Sequence, residues 1–85
     1  MNRDEILKKN LDLHAEWKQY VFKNPGVIDQ IPKGAVLILL PEDDKELYDE
    51  NYKMLEENRK KGVPAFVVTM KIPKTQITNM EVIAS

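Results

Sequence analysis

Ala35-Val-Leu-Ile-Leu-Leu40 and Pro64-Ala-Phe-Val-Val-Thr-Met70 are continuous apolar runs, and one amphipathic stretch lies between them. Neither run alternates with polar residues, which is the pattern of strands covered on both faces. The spacing predicts a β-α-β unit. Ala35 to Leu40 is expected to be the central strand, with the second run parallel to it through a right-handed crossover. Such a unit presents ligands at the C-terminal ends of its strands, and the first run leads directly into Pro41-Glu-Asp-Asp44.

The helix between the runs is expected over 44–61. Asp43 and Glu46 have the Asp-x-x-Glu form of a capping box behind Pro41. Arg59-Lys-Lys61 complements the negative helix end, and Gly62 and Pro64 stop the helix. Its apolar side collects Leu47, Tyr48, Met54 and Leu55, with Tyr52 at the border and Asn51 and Asn58 near the middle.

Upstream, a first helix is expected from about Arg3 to Phe22, opened by Asn2 with Glu5 three residues later and ended by Lys23-Asn-Pro-Gly26. At 100° per residue, Ile6, Leu7, Leu11, Leu13, Trp17, Tyr20, Val21 and Phe22 share one broad side. Asn10 and His14 lie at its centre, one turn apart. Val27 to Ile31 reads as a short helical turn, and Pro32-Lys-Gly34 as a turn into the first strand. Downstream, Lys71-Ile-Pro-Lys74 suits a reversal, and Gln76 to Ala84 alternates like an antiparallel edge strand with one better-buried face. The expectation is a single α-β-α-β-β domain over residues 1–85 with a three-stranded mixed sheet, α/β in class with α+β as the alternative.

Composition narrows the functions. A chain of 85 residues buries only about 60% of its unfolded surface, so the core is small. There is no apolar span of roughly 20 residues, and Met1 to Glu5 lacks the features of a secretory signal, so a cytoplasmic location is expected. The absence of cysteine removes disulfides, thiolate catalysis and zinc-thiolate sites. A net charge of −1 creates no global field for nucleic acid, and Lys8-Lys9 and Arg59-Lys60-Lys61 are not interleaved with aromatic residues. Gly26, Gly34 and Gly62 are isolated, so no phosphate-binding loop is present and no cofactor is called for.

Three sets of residues merit functional weight. Glu42, Asp43 and Asp44 stand at a strand end where carboxylates can hold a divalent metal, although capping the following helix accounts for them more simply. Asn10, His14, Asn51 and Asn58, with Tyr48 and Tyr52, could form a polar pocket against the sheet. The plainer account is that the amides tie the helices to the sheet, since an unsatisfied buried amide costs about 1–3 kcal/mol. His14 is the one histidine and the obvious general base near neutral pH, but no activated nucleophile accompanies it: serine occurs only at Ser85. No catalytic residue is assigned, and the reading leans away from an enzyme. The third set is the aromatic end of the first helix, Trp17, Tyr20 and Phe22.

Asn10-x-x-Leu13 with Trp17-x-x-Tyr20, then Asn24-Pro25, Ile31-Pro-x-Gly34-Ala, and Leu39-Leu-Pro-Glu-Asp-Asp44 with Asn51, resembles a family of short uncharacterised proteins of archaea and thermophilic bacteria. The resemblance spans residues 10–70. It implies a small cytoplasmic protein and supplies no catalytic residues. Lys and Glu richness without Cys is compatible with a thermophile.

A three-stranded sheet whose central strand is apolar on both faces needs more cover than two helices provide. A homodimer is therefore expected, through Trp17, Tyr20 and Phe22 or through the edge strand pairing across a two-fold axis. The functional expectation is a homodimeric protein-interaction or regulatory, antitoxin-like module, with another small protein as a further partner. The alternative is a domain binding a small molecule or divalent metal, with weak hydrolytic activity.

Overall fold

The computed structural model describes residues 2–71 and 76–84. In chain order these form α1 (Arg3–Lys23), a 3-10 turn (Pro25–Gln30), β1 (Val36–Pro41), α2 (Lys45–Lys60), β2 (Ala65–Lys71) and β3 (Gln76–Ile83). The reversal expected at Lys71 to Lys74 falls on residues 72–75, which lie outside the described residues. The three strands make one mixed sheet, with β1 parallel and β3 antiparallel to β2. Among the described residues no helix is long and apolar enough to cross a membrane.

The sheet order β1-β2-β3 makes β2 the central strand and corrects the expectation that Ala35 to Leu40 would be central. A β-α-β unit makes its two strands neighbours without saying which of them gains a second neighbour. Here β3 returns beside the strand it follows most closely in sequence. β1 is apolar on both sides because helices cover both of its faces, even though it lies at an edge. Leu37 and Leu39 face Leu13, Trp17 and Val27, together with Phe66, Val68 and Met70 of β2. Ile38 and Leu40 face Leu55, with Ala65 and Val67 beside them and Tyr48 packed against the cluster. Thus α1 covers one face of the sheet, while α2 packs mainly on β1 and covers the other.

Local chemistry explains the element ends. The Asn2 side chain caps α1 by accepting from the Glu5 N–H at 2.8 Å, and its own amide donates to the Glu5 carboxylate at 3.2 Å, so the return bond of the expected capping box runs between side chains. At α2 the N-cap is Asp44, whose carboxylate accepts from the Leu47 N–H at 3.2 Å, and not Asp43 as the Asp-x-x-Glu spacing suggested. The chain first makes a turn in which the Asp44 N–H reaches the Pro41 carbonyl, so helical geometry begins one residue later. Gly34 and Gly62 have φ of 84° and 77°, in the left-handed region, at the turns entering β1 and leaving α2.

In β3 a register shift opposite Thr69 and Met70 pairs Asn79 with Thr69 but Ile77 with Met70. The extra residue, Thr78, turns Ile77 onto the side of Met80, so the simple alternation of Gln76 to Ala84 does not hold through the bulge. On the helices, Leu7, Leu11, Phe22 and Met54 share the apolar sides by spacing but are exposed. A helix resting on a narrow sheet buries one limited stripe, which α1 fills with Leu13 and Trp17 and α2 with Leu47, Asn51 and Leu55.

Candidate functional site

The most constrained polar group is a clasp over the outer edge of β1. Val36 and Glu42 donate their N–H groups to the Pro64 and Met70 carbonyls, at 3.0 and 2.8 Å. Even-numbered residues of this strand therefore turn their backbone groups towards β2, and Leu37, Leu39 and Pro41 turn theirs outward. Asn51, only 1% exposed, donates one amide hydrogen to the outward Leu39 carbonyl at 2.7 Å and the other to Asn10 Oδ1 at 2.8 Å. Asn10 returns a bond to Asn51 Oδ1 at 3.2 Å. Three elements, α1, β1 and α2, are tied by one reciprocal amide pair. Among the described residues, no buried side-chain nitrogen or oxygen lacks a partner.

The structure does not bring the other members of the expected polar pocket into this pair. The Asn58 side chain bonds the Met54 carbonyl at 2.9 Å, and its own carbonyl receives the Val63 N–H as the helix ends. Tyr48 stacks on Tyr52, with ring centroids 6.3 Å apart. His14 is half-buried on α1; burial and then the nearby Lys18 push its pKa below the ordinary value, which keeps the ring neutral at pH 7. The clasp holds amides and a carbonyl, with neither a nucleophile nor a titrating proton, so its chemistry is that of a structural lock.

Of the three carboxylates after β1, Glu42 and Asp44 turn to different partners. Asp44 caps α2 and bonds Lys9 at 2.8 Å. That bond lowers the Asp44 pKa and raises that of Lys9. Glu42 accepts from the Thr78 hydroxyl at 2.6 Å and pairs with Lys71 at 3.7 Å, joining the end of β1 to the bulge of β3. Among the described residues, no group of three His, Asp or Glu could hold a metal ion. Beside Glu42 lies an open cleft of about 390 Å³ lined by Lys45, Tyr48 and Asp49. The links from Thr78 and Lys9 carried no sequence signal, because they join residues 36 and 35 positions apart.

The cap assignment is directly testable. Asp44→Ala is expected to lower stability by about 1 kcal/mol in urea denaturation, and Asp43→Ala by less. Because the folded-state pKa of Asp44 is depressed, its contribution is present above pH 3.8 and is lost as pH falls through the folded value. The acid side of the stability profile should accordingly flatten in Asp44→Ala. An equal loss in both variants would reject the cap assignment.

Of the three aromatic interface candidates, Trp17 is 5% exposed, stacked on Tyr20 at 5.9 Å and tilted against Phe66 at 6.4 Å. It belongs to the interior of the chain, and Tyr20 is half-buried beside it. Phe22 is 88% exposed and follows Leu7 and Leu11 along the outer side of α1.

The two sheet edges differ in kind. The β1 edge carries Pro41, which has no N–H to offer, and the Asn51 amide on the Leu39 carbonyl. Odd-numbered residues of β2 turn towards β3, and the Thr78 hydroxyl oxygen accordingly lies 3.1 Å from the Thr69 carbonyl. In register, Asn79, Glu81 and Ile83 therefore bond β2, while Met80 and Val82 present their N–H and C=O groups outward. Beyond the bulge, that edge has neither proline nor lysine.

Comparison with curated proteins and with solved structures returned no match. Over residues 5–81 the chain matches the model of a family of unknown function (DUF5647), and it belongs to that family.

Proposed function

We propose that this chain is a protein-interaction module that works as a homodimer. The observation that carries the reading is the contrast between the two edges of the sheet: one is sealed by Pro41 and the Asn51 clasp, and the other is left open along the outer side of β3. An open strand edge is a template for another strand, and native chains that remain monomeric blunt it. Regulation of a second small protein, in the manner of an antitoxin, is the role such a dimer would serve. Light scattering coupled to size exclusion should give twice the chain mass of 9.9 kDa at micromolar concentration. A strict monomer would overturn the proposal.

The second reading is ligand binding in the cleft of Glu42, Lys45, Tyr48 and Asp49, favoured by its place at the C-terminal end of β1. A ligand at 100 times its Kd stabilises by roughly 2.7 kcal/mol, equivalent to more than about 10 °C in a domain of this size. A thermal-shift panel of divalent metals and nucleotides should then contain a hit that Tyr48→Ala removes. A flat panel counts against the cleft.

A further inference from the structure

We infer that two copies of the chain join by antiparallel pairing of their β3 edges, with Val82 opposite Val82 of the second copy at the two-fold axis. This rests on the homodimer reading and names its contact. Only Met80 and Val82 of residues 79–83 present outward backbone groups, so the axis must respect their register. Pairing centred on Glu81 sets two carboxylates directly opposite each other, which is unfavourable. Pairing centred on Met80 runs Val82 against Thr78, where the bulge breaks the ladder.

Centring on Val82 avoids both obstacles. It sets Met80 against Ala84 and Glu81 against Ile83 of the second copy. Val82 is 49% exposed in the single chain, and Met80 beside it packs on the α1-side core. Pairing therefore extends an apolar face that already exists. The contact is isologous and closes after two copies, giving a six-stranded sheet whose outer edges are the two sealed β1 strands.

The lack of native cysteine makes the register readable by cross-linking. Glu81→Cys and Ile83→Cys chains, mixed and oxidised, should form a disulfide-linked heterodimer far in excess of either homodimer. Cross-linking of Glu81→Cys with itself would place Glu81 on the axis and overturn the register. Val82→Pro removes an outward N–H without touching the bonds to β2, and Val82→Lys sets two ammonium groups face to face. Both should shift the dimer to 9.9 kDa at concentrations where the unsubstituted chain is dimeric, with circular dichroism unchanged. If both remain dimeric while Leu11→Asp with Phe22→Ser dissociates, the contact lies on α1: the inference fails and the homodimer stands. If the unsubstituted chain is monomeric, both fail.

Discussion

Asn51→Asp is expected to lose more than about 3 kcal/mol of stability at pH 7. The substitution keeps the shape of the side chain and replaces both of its donors. A carboxylate there faces the Leu39 carbonyl and the Asn10 amide oxygen, which now sit 2.7 and 2.8 Å from the amide nitrogen, at a position 1% exposed. An ionised group buried without a cation costs several kcal/mol and takes up a proton instead. Its folded-state pKa is raised above the unfolded value, so the variant is most stable at low pH and weakens as pH rises through the folded value. The deficit against the unsubstituted chain should therefore shrink towards pH 4.

Asn51→Leu separates charge from lost bonding. It leaves the Leu39 carbonyl and the Asn10 amide unpartnered without adding a charge, for an expected loss of about 1–3 kcal/mol independent of pH. Denaturant titrations of both variants at pH 4 and pH 7 check the argument. If Asn51→Leu were more stable than the unsubstituted chain with its oligomeric state unchanged, the amide pair would not be a structural lock. A role in binding would then have to be sought for it.

Phe66→Ala should cost about 3–5 kcal/mol. Phe66 is 1% exposed near the start of the central strand and meets Trp17 from the opposite layer. Domains of this size hold roughly 5–15 kcal/mol in total, so the variant would sit close to its unfolding threshold. Trp17 is the one tryptophan of the chain, and its emission reports the loss directly through a shift to longer wavelength as water reaches the ring. Phe66→Leu keeps much of the volume and should lose markedly less. A loss below about 1 kcal/mol for Phe66→Ala would mean that α1 closes onto the sheet and fills the space.

Both variants probe the side of the sheet that faces α1, where local pattern and tertiary packing part company. Leu7, Leu11 and Phe22 satisfy the helical spacing as well as Leu13 and Trp17 do, yet only the latter pair is buried. Hydrophobic periodicity gives a direction on a helix and an upper bound on the width of its buried stripe. The actual width is set by what lies opposite, and three strands offer little.

The polar residues show the same division. Asn10 and Asn51 stood out because amides on apolar sides must be satisfied, and they do meet. Asn58 carried the same signal but bonds its own helix four residues back. A bond within one turn and a bond between layers are indistinguishable until the layers are placed.

What the sequence determined by itself is the local grammar. Two unbroken apolar runs dictate buried strands, and Asn2, the acidic residues after Pro41, Gly62 and Pro64 mark where helices start and stop. These follow from steric limits and from hydrogen bonds that reach only a few residues. The tertiary structure alone decided that β2 is central, that Asp44 and not Asp43 caps α2, and that one sheet edge is locked by Asn51 while no strand of the described residues covers the other. Each of these depends on groups brought together from distant parts of the chain, and no spacing along a sequence encodes which distant carbonyl an amide will find.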